Sequence, residues 1–383
     1  MRYLKFILPL LLLVLIDLLF QFGAWESIAS PNSHAGMSIA KKRALLDPEM
    51  AHIDFVTLGS SRPVYGIDHA LLASTAAAHG KVHANISVAG MHWMSLGIIT
   101  DWLAVQHPEI QGGVIALSVQ DFMGPGNGAY ELGIAYPFHR HDQIPWISEH
   151  VAFDRNELAT YGLYSGLFEY REDIRDLIQH PQQRSKSLKY FHALDAKHVL
   201  QTNADEISNI CRLQLHHIPD CAKTATLDAE TAEKLHGQCA LLPSAEQARE
   251  DWRPIVSGTE APSPYLQKTR DLIQAQLRCL SWKTPPIIVL MPMHAVWMND
   301  ALPQAAHEWT LSILKPLQDE GKIRVLDYTD LFNGPDGTDC TAFFDIYHNN
   351  VAGRERLMQM LLPSLEKFLY SAESRTQATI RND

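Results

Sequence analysis

The sequence predicts an α/β fold: a parallel sheet covered by helices on both faces. Two observations predict it. Short apolar runs at 54–58, 82–88, 113–117, 286–291 and 323–327 read as strands, and stretches with apolar residues at helical spacing separate them. The run 286–291 is continuous and bounded by prolines, the pattern of a strand with no wet face. The 383 residues, 46% hydrophobic and 20% charged, have the composition of an ordinary globular chain. That length allows one large domain or two small ones.

The elements follow in order. Arg2 and Lys5 precede an apolar run, 6–22, interrupted by Asp17 and Gln21. Its length lies between a signal-peptide core and a full membrane span, and no clean small-x-small cleavage site follows. We read 1–26 as an uncleaved signal anchor or transmembrane helix, with the basic start on the cytoplasmic side and the rest of the chain outside. Asp17 then either stays hydrated near the outer interface or meets a membrane partner. Residues 27–52 read as a mostly polar link containing Pro31, Asn32 and Gly36. After the first strand, a helix is expected over 68–78 with Asp68 as N-cap. A second strand over 82–88, a helix over 94–106 and a third strand over 113–117 follow. The fourth and fifth strands flank a helix over 302–320. A closing helix spans 351–370, with Pro363 predicting a kink or break.

Between Asp121 and Ser263 the pattern changes. Gly124, Pro125, Gly126, Asn127 and Gly128 open a loop, and polar helical stretches such as 169–178 and 229–236 follow. We read about 122–263 as an insertion into a domain covering 53–383, either a lid over the sheet or padding on one side. There is no internal repeat and no low-complexity segment.

Charge and cysteine usage narrow the function. A net charge of −11 argues against nucleic acid as a partner, since such a binder needs a basic face. The 19 histidines are scattered with no zinc-type spacing, so no metal and no cofactor is expected. Cys211, Cys221, Cys239, Cys279 and Cys340 fit two disulfides and one free thiol in an oxidising compartment, with the connectivity open.

The most informative stretch is Gly59-Ser60-Ser61-Arg62, directly after the first strand. A hydroxyl there sits at the carboxyl edge of the sheet, where ligands of open α/β sheets bind. Far downstream, Asp345-Ile346-Tyr347-His348 can supply a general base and its orienting carboxylate from one loop. Serine, histidine and aspartate from distant positions are the parts of a nucleophilic hydrolase or acyl transferase. Arg62 has two roles open, a substrate anion site or a surface ion pair. His294, after the fourth strand, also falls at the carboxyl edge and is a candidate for lining the pocket.

These blocks resemble the SGNH (GDSL) hydrolase superfamily over about 200 residues in two pieces. The resemblance implies a three-layer αβα, flavodoxin-like parallel sheet. It implies Ser61 as nucleophile, from Gly59-Ser60-Ser61. Gly90, in Asn85-Ile86-Ser87-Val88-Ala89-Gly90, is implied as an oxyanion donor together with the Ser61 N–H. Gln120, in Ser118-Val119-Gln120-Asp121, stands where the family has an asparagine and would offer its amide. Asp345 and His348 match the family's Asp-x-x-His. Ser60 and Gln120 depart from the simple esterases. The Gly-Ser-Ser block is similar to that of the membrane-anchored branch, which includes the teichoic acid D-alanyl transfer and alginate O-acetylation proteins. That likeness implies an extracytoplasmic O-acyltransferase at the bacterial cytoplasmic membrane, its catalytic domain in the periplasm or outside. A cell-surface polysaccharide or glycoconjugate would be its substrate and a membrane-bound O-acyltransferase its partner. A carbohydrate esterase and a catalytically silent subunit of an acylation complex are the alternatives.

Overall fold

Five apolar runs become the strands β1 (Phe55–Gly59), β2 (His83–Asn85), β3 (Gly112–Leu117), β4 (Ile287–Leu290) and β5 (Arg324–Asp327). The structure is a computed structural model that describes residues 4–31, 33–122, 128–150, 161–215, 227–240, 264–297, 304–335 and 337–370. The strands form one parallel sheet in the order β2-β1-β3-β4-β5, accompanied by helices, so the fold is α/β. β1, β3 and β4 are buried along their whole length, as continuous apolar runs require. β5 lies at an edge, and Arg324 and Asp327 at its two ends are exposed. Such charges discourage edge pairing with another chain. The strand order reverses between β1 and β3, the place in an open parallel sheet where the carboxyl ends leave a crevice.

The chain divides into two compact units. One comprises 53–89, 109–124 and 201–383 and contains the whole sheet. Its second strand is shorter than its apolar run predicts. Beyond Asn85, whose Oδ1 accepts a hydrogen bond from Ser87 N (2.9 Å), the chain still donates to β1 from Ile86 N and Val88 N. The helix His69–Ala78 is capped as expected, Asp68 Oδ1 accepting from Leu71 N. The closing helix runs through Pro363 to Leu365 and then passes into a π-helical turn, Glu366–Tyr370, in place of a break. It packs against the short helix Ser61–Gly66. Of the cysteines, Cys211 is bonded to Cys340, Cys239 is also disulfide-bonded, and Cys279 is a free, exposed thiol.

The other unit comprises 1–52, 90–108 and 125–200. The stretch expected as a polar link carries a helix, His34–Leu45, which Ser33 caps and which buries Ile39, Ala44 and Leu45. The expected insertion is thus shared, its first part in this unit and its second part with the sheet. The opening of its loop, 123–127, and residues 241–263 lie outside the described residues.

The expected anchor is a helix, Leu4–Gln21, containing Pro9. Among the described residues no helix is long and apolar enough to cross a membrane, so the expected transmembrane span finds no support there. Leu8, Leu10 and Leu11 are nonetheless 66%, 64% and 59% exposed. Asp17 and Gln21, four residues apart and so on one face, explain the interruptions. Asp17 Oδ1 accepts from Ser165 Oγ (2.7 Å) and Leu167 N (2.8 Å). Gln21 Nε2 donates to Asp17 Oδ2 and to the Tyr164 carbonyl. Asp17 is therefore held by its own chain. Gly166 permits the close approach, since a Cβ there would lie 2.8 Å from Phe20 Cβ.

His83, buried in β2, generates a prediction. Its Nε2 meets Thr57 Oγ1 (2.8 Å) and its Nδ1 the Tyr370 hydroxyl (2.9 Å). Burial pushes its pKa down to about 3. The unfolded imidazole titrates near pH 6.5, so between the two values the unfolded state binds the extra proton. The stabilisation from neutral His83 is full above about pH 6.5 and drains as the pH falls toward about 3. Urea midpoints should fall between about pH 7 and about pH 5, and His83→Asn should shrink that fall. An unchanged slope in the variant contradicts this.

Candidate active site

Ser61 owes its position to a strand, a glycine and a turn. Gly59 ends β1 at φ +152°, and a Cβ there would sit 2.1 Å from the Ala116 carbonyl oxygen of β3. Only glycine lets β1 leave the sheet so close to its neighbour. Ser60 is the N-cap residue, in extended conformation, and Ser61 begins the helix Ser61–Gly66.

The base arrives on the loop before the last helix. His348 Nε2 lies 2.7 Å from Ser61 Oγ, and His348 Nδ1 lies 2.7 Å from Asp345 Oδ2. A carboxylate only accepts, so Nδ1 carries the proton and Nε2 is left to accept from the serine hydroxyl. The other carboxylate oxygen, Asp345 Oδ1, accepts from both Tyr347 N and His348 N at 2.7 Å. Asp345 thus shapes the loop and orients the base together. The last helix is capped by Asn350 instead, whose Oδ1 accepts from Gly353 N. The His348 and Asp345 side chains are 18% and 16% exposed, dry enough to strengthen the pair and open enough to reach.

Residues 206–211 and Gln238 brace this loop. Cys211 is bonded to Cys340, Ile210 N donates to the Phe343 carbonyl, and Gln238 Oε1 accepts from Ile346 N. Val351 N donates to the Glu206 carbonyl, and Asn350 Nδ2 to that of Ser208. Nothing in the sequence pairs these segments, because their partners lie more than 100 residues apart.

The other expected site residues divide. Gln120, on the 3-10 turn Val119–Phe122 after β3, joins the site through Arg62, whose Nη2 donates to its Oε1 (3.2 Å). Asp121 holds that turn, its Oδ2 accepting from Ser118 N and Oγ. Arg62 is 4% exposed, which corrects the expectation of a surface ion pair. Burial lowers its pKa, opposed by Asp121, Tyr347 and Asp345, and a guanidinium stays charged through such a shift. His294 is not on an open wall. It is 1% exposed, stacked edge-on to Phe343 at 5.5 Å, with Nδ1 accepting from Val296 N. Gly90 opens the segment 90–108 of the other unit in left-handed conformation (φ +83°), and a Cβ there would lie 3.2 Å from the His34 ring. Among the described residues no group of three or more His, Cys, Asp or Glu side chains is placed to hold a metal ion.

Sequence reasoning missed the aromatic surround of His348. Tyr65, Phe344 and Tyr347 lie 5.2, 5.5 and 5.9 Å from it, ring centre to ring centre. Burial, Asp345 and Glu206 push the Tyr65 phenol up, so it is protonated at neutral pH. The available signal was Tyr65 one helical turn after Ser61. The chain matches no family model and no curated protein.

The bracing of the loop is testable. Replacing Cys211 and Cys340 together by serine should cost about 2–5 kcal/mol of stability, the usual effect of losing a native disulfide. On the reading of His348 as a general base, turnover of p-nitrophenyl acetate should fall mainly in kcat, because the His348 loop loosens while the serine turn stays in place. Unchanged kcat with reduced stability would show that the disulfide does not hold the base.

Proposed function

We propose that this protein is an extracytoplasmic O-acyltransferase of SGNH type, working through an acyl-Ser61 intermediate on a cell-surface polysaccharide or glycoconjugate. The observation that carries the proposal is the hydrogen-bonded series Ser61–His348–Asp345 at the carboxyl ends of the central strands. The 2-1-3-4-5 strand order, that of flavodoxin-like sheets, supports the fold that the resemblance implies.

The chemistry follows from the atoms. Ser61 Oγ attacks an acyl carbonyl as its proton passes to His348 Nε2. Asp345 steadies the imidazolium through Nδ1. The tetrahedral oxyanion accepts hydrogen bonds from Ser61 N–H and Gln120 Nε2, and removing one such donor typically costs about 2.7–4 kcal/mol. The leaving group takes the proton from His348, and the acyl group stays on Ser61. An acceptor hydroxyl then gives its proton to His348 and takes the acyl group, and His348 returns the proton to the departing Ser61 Oγ.

Transfer to a sugar is favoured by the aromatic rings beside His348. The C–H faces of a pyranose carry partial positive charge and suit the negative face of an aromatic ring. The disulfides support an oxidising compartment. The exposed leucines of Leu4–Gln21 support attachment to a membrane, and the resemblance implies the cytoplasmic membrane and a membrane-bound acyltransferase as partner. A carbohydrate esterase is the second reading, favoured by the partial exposure of His348, which admits water.

The test uses the full-length chain in detergent with p-nitrophenyl acetate and a neutral oligosaccharide. The expected result is slow hydrolysis alone and diversion of the acyl group into acylated oligosaccharide when the acceptor is added. Release of acyl groups from a modified polymer, with no acylated oligosaccharide formed, selects the esterase.

A further inference from the structure

We propose that Arg62 is a positioning residue. It sets the Gln120 amide with Nε2 presented to the reacting carbonyl, and this rests on the reading of Ser61 as an acyl nucleophile. A guanidinium taken out of water is costly unless its donors are met. Arg62, 4% exposed, finds two acceptors inside its own unit. Nη2 donates to Gln120 Oε1 (3.2 Å), Nη1 donates to the Tyr347 carbonyl (2.9 Å), and the guanidinium lies 5.7 Å from the Tyr347 ring centre. So placed, it is not available to dock a free anion.

The orientation of the amide then follows from chemistry. Arg offers five donors and no acceptor. Whichever end of the Gln120 amide faces it is therefore the oxygen. The amide is planar, with oxygen and nitrogen on opposite branches of one carbon, so Nε2 is turned away from Arg62 and keeps its protons for another acceptor. Gln120 follows β3 and Ser61 follows β1, and these strands are paired out to Gly59 and Ala116. Both residues thus leave the same edge of the sheet. Arg62 is covalently next to Ser61, and its other contact, Tyr347, is covalently next to His348. One side chain holds nucleophile, amide and base in a common register. Lysine cannot repeat this, because a single ammonium lacks the planar fork that reaches both acceptors.

The experiment is a double-mutant cycle in the full-length chain with Arg62→Lys, Gln120→Ala and both together. It reads p-nitrophenyl acetate kinetics and the rate at which a fluorophosphonate labels Ser61. Gln120→Ala should lower kcat by about 100-fold or more, the scale of one oxyanion donor. Arg62→Lys should lower kcat about 10-fold or more with KM within about twofold, and should cost no more than about threefold once Gln120 is alanine. Gln120→Glu is the variant that keeps the fold: its carboxylate still accepts from Arg62 but has no N–H, and it should lose as much as Gln120→Ala at unchanged melting temperature. Equal losses from Arg62→Lys in both backgrounds, a raised KM with kcat intact, or native rates in Gln120→Glu overturn the inference. Native labelling of Ser61 in Arg62→Lys overturns the inference alone. Absence of any Ser61 label in the folded native chain overturns both it and the reading of the site.

Discussion

The site depends on one carboxylate serving two masters. Asp345 Oδ2 holds His348 Nδ1, while Oδ1 holds the backbone N–H groups of Tyr347 and His348. Hydrogen bonds to a charged group are each worth about 1.5–3 kcal/mol net, so the loop and the imidazole are set by the same source. The tautomer follows from it, and so does the 2.7 Å approach of Nε2 to Ser61. A residue that only oriented the ring would leave the loop free to move it. A residue that only capped the loop would leave the proton on either nitrogen.

Around that carboxylate the rest of the sheet-bearing unit acts as a frame. Gly59 lets β1 turn beside β3, which puts Ser61 at the strand reversal. The disulfide at Cys340 and the contacts from residues 206–211 and Gln238 fix the loop. Arg62 joins the serine turn to the loop and to the end of β3 from within. The chain thereby confines an imidazole and a hydroxyl 287 positions apart, and under the proposed function that proximity is a large share of what the site supplies.

Much of this was legible in the sequence, for reasons that the structure makes plain. Strands buried on all sides read as unbroken apolar runs, so β1, β3 and β4 were located to within about one residue. The triad was legible because Ser61, Asp345 and His348 lie at strand and helix ends, where short motifs carry geometry. Legibility failed where the chain contacts itself at long range. Arg62 reads as a surface cation until its partners, 58 and 285 positions away, are known. Residues 27–52 read as a polar link because their helix buries only a few apolar side chains. Asp17 and Gln21 read as faults in an apolar helix because Ser165 and Leu167, which hold Asp17, stand far off in sequence. His294 carries the right chemistry at the right strand end, yet packing against Phe343 buries it.

The central claim is that Ser61, activated by His348 and Asp345, carries the acyl group. It is tested most directly by quenching the full-length chain shortly after mixing with p-nitrophenyl acetate and mapping the adduct by peptide mass spectrometry. The account predicts a single acetyl group on Ser61, absent in His348→Ala. An acetyl group on Ser60, or a folded native chain that takes none, would contradict it.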